Sequence, residues 1–317
     1  MQKFLYFVIY SPGFSGSLFL SKVINSHKDV ICLHETEMFE ALKIHNDGKI
    51  ETKFFFELNE INKFSRHLFF MTPFLHHYFN AYKAVGTVET GRVNIEFSLN
   101  ILEHYRRFQE ESGKNVELKI GFLIRSPIKV INSLFREFSK IFYLIQSRDE
   151  KISALERYFS AIAEYTVSKN YIKKDKLEGI LEMSRKSGEI LFLGSTIIVF
   201  SFSKEISNLM KENPKYTLFK LEEITKDKTI FEKKLKEITE QEYNLSESIL
   251  KEKVNQKHNS EDETGVIKSW NRYQREIFLS VFENCEEELN LLGYGYILEY
   301  FSPQQIRARK VHYYFLT

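Results

Sequence analysis

KFLYFVIY, SPGFSGSLFLSKVINSH and KDVICLHE, read together as Lys3–Glu35, decide the fold. Phe4–Tyr10 is an unbroken apolar run of aromatic and β-branched residues, the pattern of a strand buried on both faces. Ser11–Gly16 then brings Pro12, Gly13 and Gly16, residues that bend sharply and let backbone approach a ligand. From Ser17 the apolar positions Leu18, Leu20, Val23 and Ile24 fall at helical spacing. A strand, a glycine loop and a helix N-terminus in that order form a natural anion cradle. The first helical N–H groups have no partner within the helix, and the helix dipole favours negative charge. Ser15 and Ser17 are expected to add hydroxyl donors to the same rim. A nucleoside-triphosphate loop would need Gly-Lys followed by Ser or Thr. Here the corresponding residues are Phe14-Ser15-Gly16-Ser17, so phosphate binding is expected without magnesium-dependent phosphoryl transfer.

Outward from that unit, the pattern repeats. Asp29–Leu33 reads as a second strand ending at His34-Glu35, Tyr82–Thr90 as a third, Val116–Ile124 as a fourth and Tyr216–Leu221 as a fifth. Helices are expected between them, including Phe97–Glu111, Pro127 to about Ser139, Asp227–Thr239 and Asn271–Leu292. Lys53–Asn80 is unusually aromatic and reads as cover over a sheet edge or the wall of an acceptor site. Strands alternating with helices predict an α/β fold: a three-layer parallel sheet with helices on both faces. Ligands in such sheets sit beyond the carboxyl ends of the strands, which places Ser11–Ser17, His34-Glu35, Glu89–Arg92 and Arg125 on one rim.

The 317 residues, 43% hydrophobic, suffice for one large domain. We expect a single domain over 1–317, with a helical insertion at about 141–210, a mobile polar loop at about 254–265 and a C-terminal tail at 302–317. A net charge of +2 makes no electrostatic case for nucleic acid, which is not expected as a partner. The two cysteines, Cys32 and Cys285, indicate no disulfide framework and fit a reducing, cytoplasmic compartment. The short N-terminal apolar run is read as a mature strand rather than a signal peptide. Ile190–Phe202 is too short to span a bilayer and is read as a buried helix.

Several segments, in order over more than half the chain, resemble the sulfotransferases that use 3′-phosphoadenosine 5′-phosphosulfate (PAPS). GFSGSLFLSKVINSHKDV (13–30) is similar to that family's 5′-phosphosulfate loop and following helix. KIGFLIRSPIKVINSLF (119–135) is similar to its 3′-phosphate segment, an Arg-x-Pro after a strand with a Ser eight residues beyond the Arg. TLFKLEEIT (217–225) resembles its late strand, and GVIKSWNRY (265–273) with ENCEEELNLLGY (283–294) its C-terminal Gly-x-x-x-x-Trp element and closing helix. The resemblance implies a P-loop nucleotide-kinase-like sulfotransferase fold. It implies PAPS as donor, the bisphosphate PAP (adenosine 3′,5′-bisphosphate) as product, and a hydroxyl-bearing acceptor: sugar, peptide tyrosine or small molecule. No metal and no membrane span are implied.

Carried onto these positions, Gly13, Phe14, Ser15, Gly16, Ser17 and Leu18 would hold the 5′ side, and Arg125 with Ser133 the 3′-phosphate. Lys268 would add positive charge. Trp270 would either stack on adenine or anchor the last helix. HKDVICLHETEMF (27–39) is most like the tyrosylprotein branch, which maps the catalytic base onto Glu35, with His34 beside it and Glu89 as a second candidate. The chain departs from the family at Phe14 and Glu37, where basic residues are usual, and lacks a third-strand Lys. A second class of function therefore stands beside the enzyme: a protein of this fold that binds a 3′-phosphoadenosine nucleotide or a partner without turnover.

Overall fold

The computed structural model describes residues 3–34, 78, 80–90, 95–144, 159–251, 262–283 and 285–301. In chain order the strands are β1 (Lys3–Ser11), β2 (Val30–His34), β3 (Ala84–Thr90), β4 (Asn115–Ile124) and β5 (Thr217–Lys220). The helices are α1 (Ser17–Ile24), α2 (Ile95–Glu111), α3 (Pro127–Leu144), α4 (Lys174–Ser187), α5 (Ile190–Glu212), α6 (Leu221–Ile224), α7 (Lys228–Thr239), α8 (Glu247–Lys251), α9 (Glu263–Ser269), α10 (Arg272–Phe282) and α11 (Glu286–Leu292). A 3₁₀ turn, Gly295–Tyr300, follows, and residues 159–168 are also helical. The expected base Glu35, the aromatic stretch 53–77 and the tail 302–317 lie outside the described residues. So does most of the expected mobile loop, although its end, from Glu263, is the start of α9.

The chain divides into two compact units, 1–125 with 209–258 and 126–208 with 259–317. The first holds the sheet. Its five strands are all parallel, in the order β2-β3-β1-β4-β5. Alternation along β1 sorts its side chains between two faces. Leu5, Phe7 and Ile9 join a core with Phe19, Leu20 and Val23 of α1 and Phe231, Leu235 and Ile238 of α7. On the other face Tyr6 meets Tyr105 of α2 edge-on, and Tyr10 lies beside Phe122. Helices therefore cover both faces, which explains why β1 reads as continuous rather than alternating hydrophobicity. Burying such a side chain stabilises by roughly 1.5–3 kcal/mol. The exposed ion pairs along the amino ends of the strands, such as Lys3 with Glu240, are worth about 0–1 kcal/mol each. The apolar faces, not the charges, hold this unit together. Gly86 is paired with Phe7, and a Cβ there would run into the Phe7 ring.

The described residues of the second unit are helical and include α9–α11. In α5, Ser195, Thr196 and Ser203 each donate to the carbonyl four residues back, at 2.8 Å, which lets hydroxyls sit in a buried helix. This helix is long and apolar enough to cross a membrane, yet 83% of that stretch is buried within the protein. The single helix expected over Asn271–Leu292 is two. α10 ends at Phe282, and α11 restarts from Cys285.

Candidate anion site

At the carboxyl end of β1 the chain turns through Gly13 (φ +84°), Phe14 (φ +51°) and Gly16 (φ +87°), all left-handed. Glycine adopts this freely, whereas a phenylalanine there costs about 1–2 kcal/mol. The loop holds its own shape. The Gly13 N–H donates to Ser11 Oγ at 3.4 Å, and the Ser15 hydroxyl donates to the Gly13 carbonyl at 3.1 Å. Gly16 caps α1, whose first turn has no acidic residue and no capping side chain. A Cβ at Gly16 would also press on the Leu221 side chain, 2.7 Å away.

β4 lies next to β1, with Tyr10 paired to Phe122, so the end of β4 emerges beside this loop. There Arg125 donates through Nη1 to the Phe14 carbonyl at 3.1 Å, across 111 residues of sequence. The strand order also reverses here, since the chain leaves β1 towards β2 and β3 on one side and towards β4 and β5 on the other. In open parallel sheets this switch point is where ligands bind.

α1 is tied to β2 by a cluster that the sequence reading did not single out. Asn25 accepts from the Cys32 N–H and donates to the Cys32 carbonyl, both at 2.7 Å, and Ser21 donates to the same carbonyl at 3.0 Å. The Asn-Ser-His run was noted as a motif, yet nothing in it announces that Asn25 mimics a neighbouring strand. With β2 so fixed, its last residue, His34, sets Nε2 3.0 Å from Ser17 Oγ. His34 pairs with Val88 and thus shares the α1 face of the sheet, whereas Glu89 pairs with Tyr10 and shares the α2 face. Glu89 is 5% exposed. The two described candidate bases therefore belong to opposite faces at one edge.

Not every expected residue offers itself to a ligand. Ser15 is fully buried and its hydroxyl closes the loop, which corrects its expected role as a donor on the rim. Leu18 is half-buried in the first turn of α1. Ser133, Lys268 and Trp270 belong to the second unit. The Ser133 hydroxyl donates to the Lys129 carbonyl at 2.9 Å within α3. Lys268 is exposed in the last turn of α9. Trp270 is 3% exposed, with the rings of Phe192 and Phe278 at 5.0 and 5.4 Å, so of its two expected roles the packing favours the anchor. A polar cleft of about 390 Å³ lies at the opposite, amino end of the strands, but Lys3 and Lys83 on its walls are already paired with Glu240 and Asp29. Among the described residues no three or more His, Cys, Asp or Glu side chains group to hold a metal ion.

Chemically, the loop and α1 offer backbone donors, one guanidinium and the Ser17 hydroxyl at a single edge. That set suits a phosphate-sized anion and supplies no lysine to follow charge onto a leaving group. No family profile, characterised protein or solved structure matches the chain.

Proposed function

We propose that this chain is a sulfotransferase that uses PAPS and acts on an acceptor hydroxyl. One observation carries the reading: the Arg125 guanidinium reaches the carbonyl of Phe14 inside the glycine loop, at the switch point of a parallel sheet. Two elements proposed here to bind anions, far apart in sequence, thereby share one edge. The residues present fit the phosphate end of such a nucleotide. Loop and α1 N–H groups with Ser17 hold its 5′ side, and Arg125 takes a second pair of anionic oxygens through its planar fork. By the resemblance, that second pair of oxygens is proposed to belong to the 3′-phosphate. When bound, the nucleotide supplies the sulfuryl group. A carboxylate then removes the acceptor's proton. Glu35 is proposed for that role by resemblance, and Glu89 is the described carboxylate at the same edge.

Losing a charge-assisted hydrogen bond is worth about 1.5–3 kcal/mol. Arg125→Ala should therefore weaken adenosine 3′,5′-bisphosphate binding by about ten- to a hundredfold in calorimetry. Unchanged affinity would refute the assignment. A second reading, nucleotide binding without turnover, is favoured by the absence of any Lys or Arg between Ser11 and Ser17. Radiolabelled sulfate transfer to an acceptor panel separates the two.

A further inference from the structure

We infer that His34 is the positioning residue of this anion site: its protonated ring turns the Ser17 hydroxyl towards the bound anion and supplies the positive charge that the loop itself lacks. The inference rests on the anion-site reading above and adds to it a residue and a pH dependence. Ser17 is 9% exposed, so its hydroxyl proton has few directions in which to point. His34 Nε2 stands 3.0 Å from its oxygen. In the neutral tautomer that carries its proton on Nδ1, Nε2 is bare, so the hydroxyl donates to the ring and is lost to a ligand. In the imidazolium, as in the neutral Nε2–H tautomer, the ring donates to Ser17 Oγ and the hydroxyl proton turns to the first turn of α1. Protonating the Nδ1–H tautomer thus changes both the charge and the direction of a donor. Only the imidazolium adds a cation to the rim in addition to Arg125.

The charged groups on the elements around the loop are few. α6, whose Leu221 lies against Gly16, carries Glu222 and Glu223, the latter 3.9 Å from Lys234. Among the described residues, α1 carries one charged side chain, Lys22, exposed in its last turn at the far end of the helix. β2 adds only the buried thiol of Cys32. The one acid of β3, Glu89, takes the opposite face. Arg125 approaches from the β4 side and is held by the Phe14 carbonyl. An anion in the loop favours the imidazolium, so binding raises the His34 pKa. Affinity is strongest below that pKa and falls as pH rises through it.

The test follows the His34 ring by NMR on the full chain, from pH 5 to 8.5, alone and with inorganic pyrophosphate or adenosine 3′,5′-bisphosphate. We expect either anion to move the titration to higher pH. Calorimetry should find wild-type binding about tenfold tighter at pH 6 than at pH 8, relative to His34→Gln, which keeps a donor but no charge and cancels the probe's own titration. A titration moved by pyrophosphate alone supports His34 and overturns the nucleotide reading. Bisphosphate binding with the His34 titration unmoved overturns His34 and leaves the nucleotide reading standing. No effect of either anion overturns both.

Discussion

Tyr105 shows how one side chain reports on the sheet's second face. It packs edge-on against Tyr6, is 8% exposed, and its hydroxyl has no hydrogen-bond partner among the described residues. Burial pushes it from the ordinary value of 10 up to about 12. The folded state therefore keeps this proton where the unfolded chain has lost it. The associated stability is whole below pH 10 and disappears as pH rises towards 12. Tyr105→Phe should remove that alkaline fall in urea melts and add about 1 kcal/mol at pH 7, because an unpartnered buried hydroxyl is eliminated. A steeper alkaline loss in the variant would contradict it. At this scale the sequence exposed the left-handed turn at Gly13 and Gly16 and the place of Arg125 at a strand end. It did not expose the direction of a hydroxyl. Ser15 and Ser17 look alike in sequence, yet one closes its own loop and the other faces His34.

Elements were legible wherever an apolar run ended in turn residues. The five strands begin and end within two residues of the expected positions, and Gly113 (φ +78°) follows α2 as Ser112-Gly113 promised. The break between α10 and α11 was hidden because Glu283–Asn290 keeps helical spacing, and Cys285 is not a usual capping residue. Between strands, the decisive contact is Gly86 under Phe7. Gly86→Ala should cost about 1–3 kcal/mol, the range for forcing volume into a packed core. Denaturant melts measure this, and an unchanged midpoint would mean that the β1–β3 spacing yields easily.

The order β2-β3-β1-β4-β5 could not be read from alternation alone, which predicts a parallel sheet and leaves its neighbours open. Nor did composition reveal two compact units, because each is assembled from separated segments with no Pro/Gly-rich linker between them. A bound nucleotide should stabilise the whole chain by mass action. Adenosine 3′,5′-bisphosphate at a hundred times its dissociation constant adds about 2.7 kcal/mol, readable as a melting rise of several degrees that ATP and AMP do not match; equal shifts would count against a 3′-phosphate pocket. The central place of β1 also has a consequence for synthesis. This strand leaves the ribosome before its partners do, so Leu5 waits for Ala84 and Lys3 for Asn115 before either edge is paired. At ordinary translation speeds the delay is on the order of ten seconds. For that interval an apolar strand destined for burial has neither neighbouring strand to pair with, which exposes it to non-specific association.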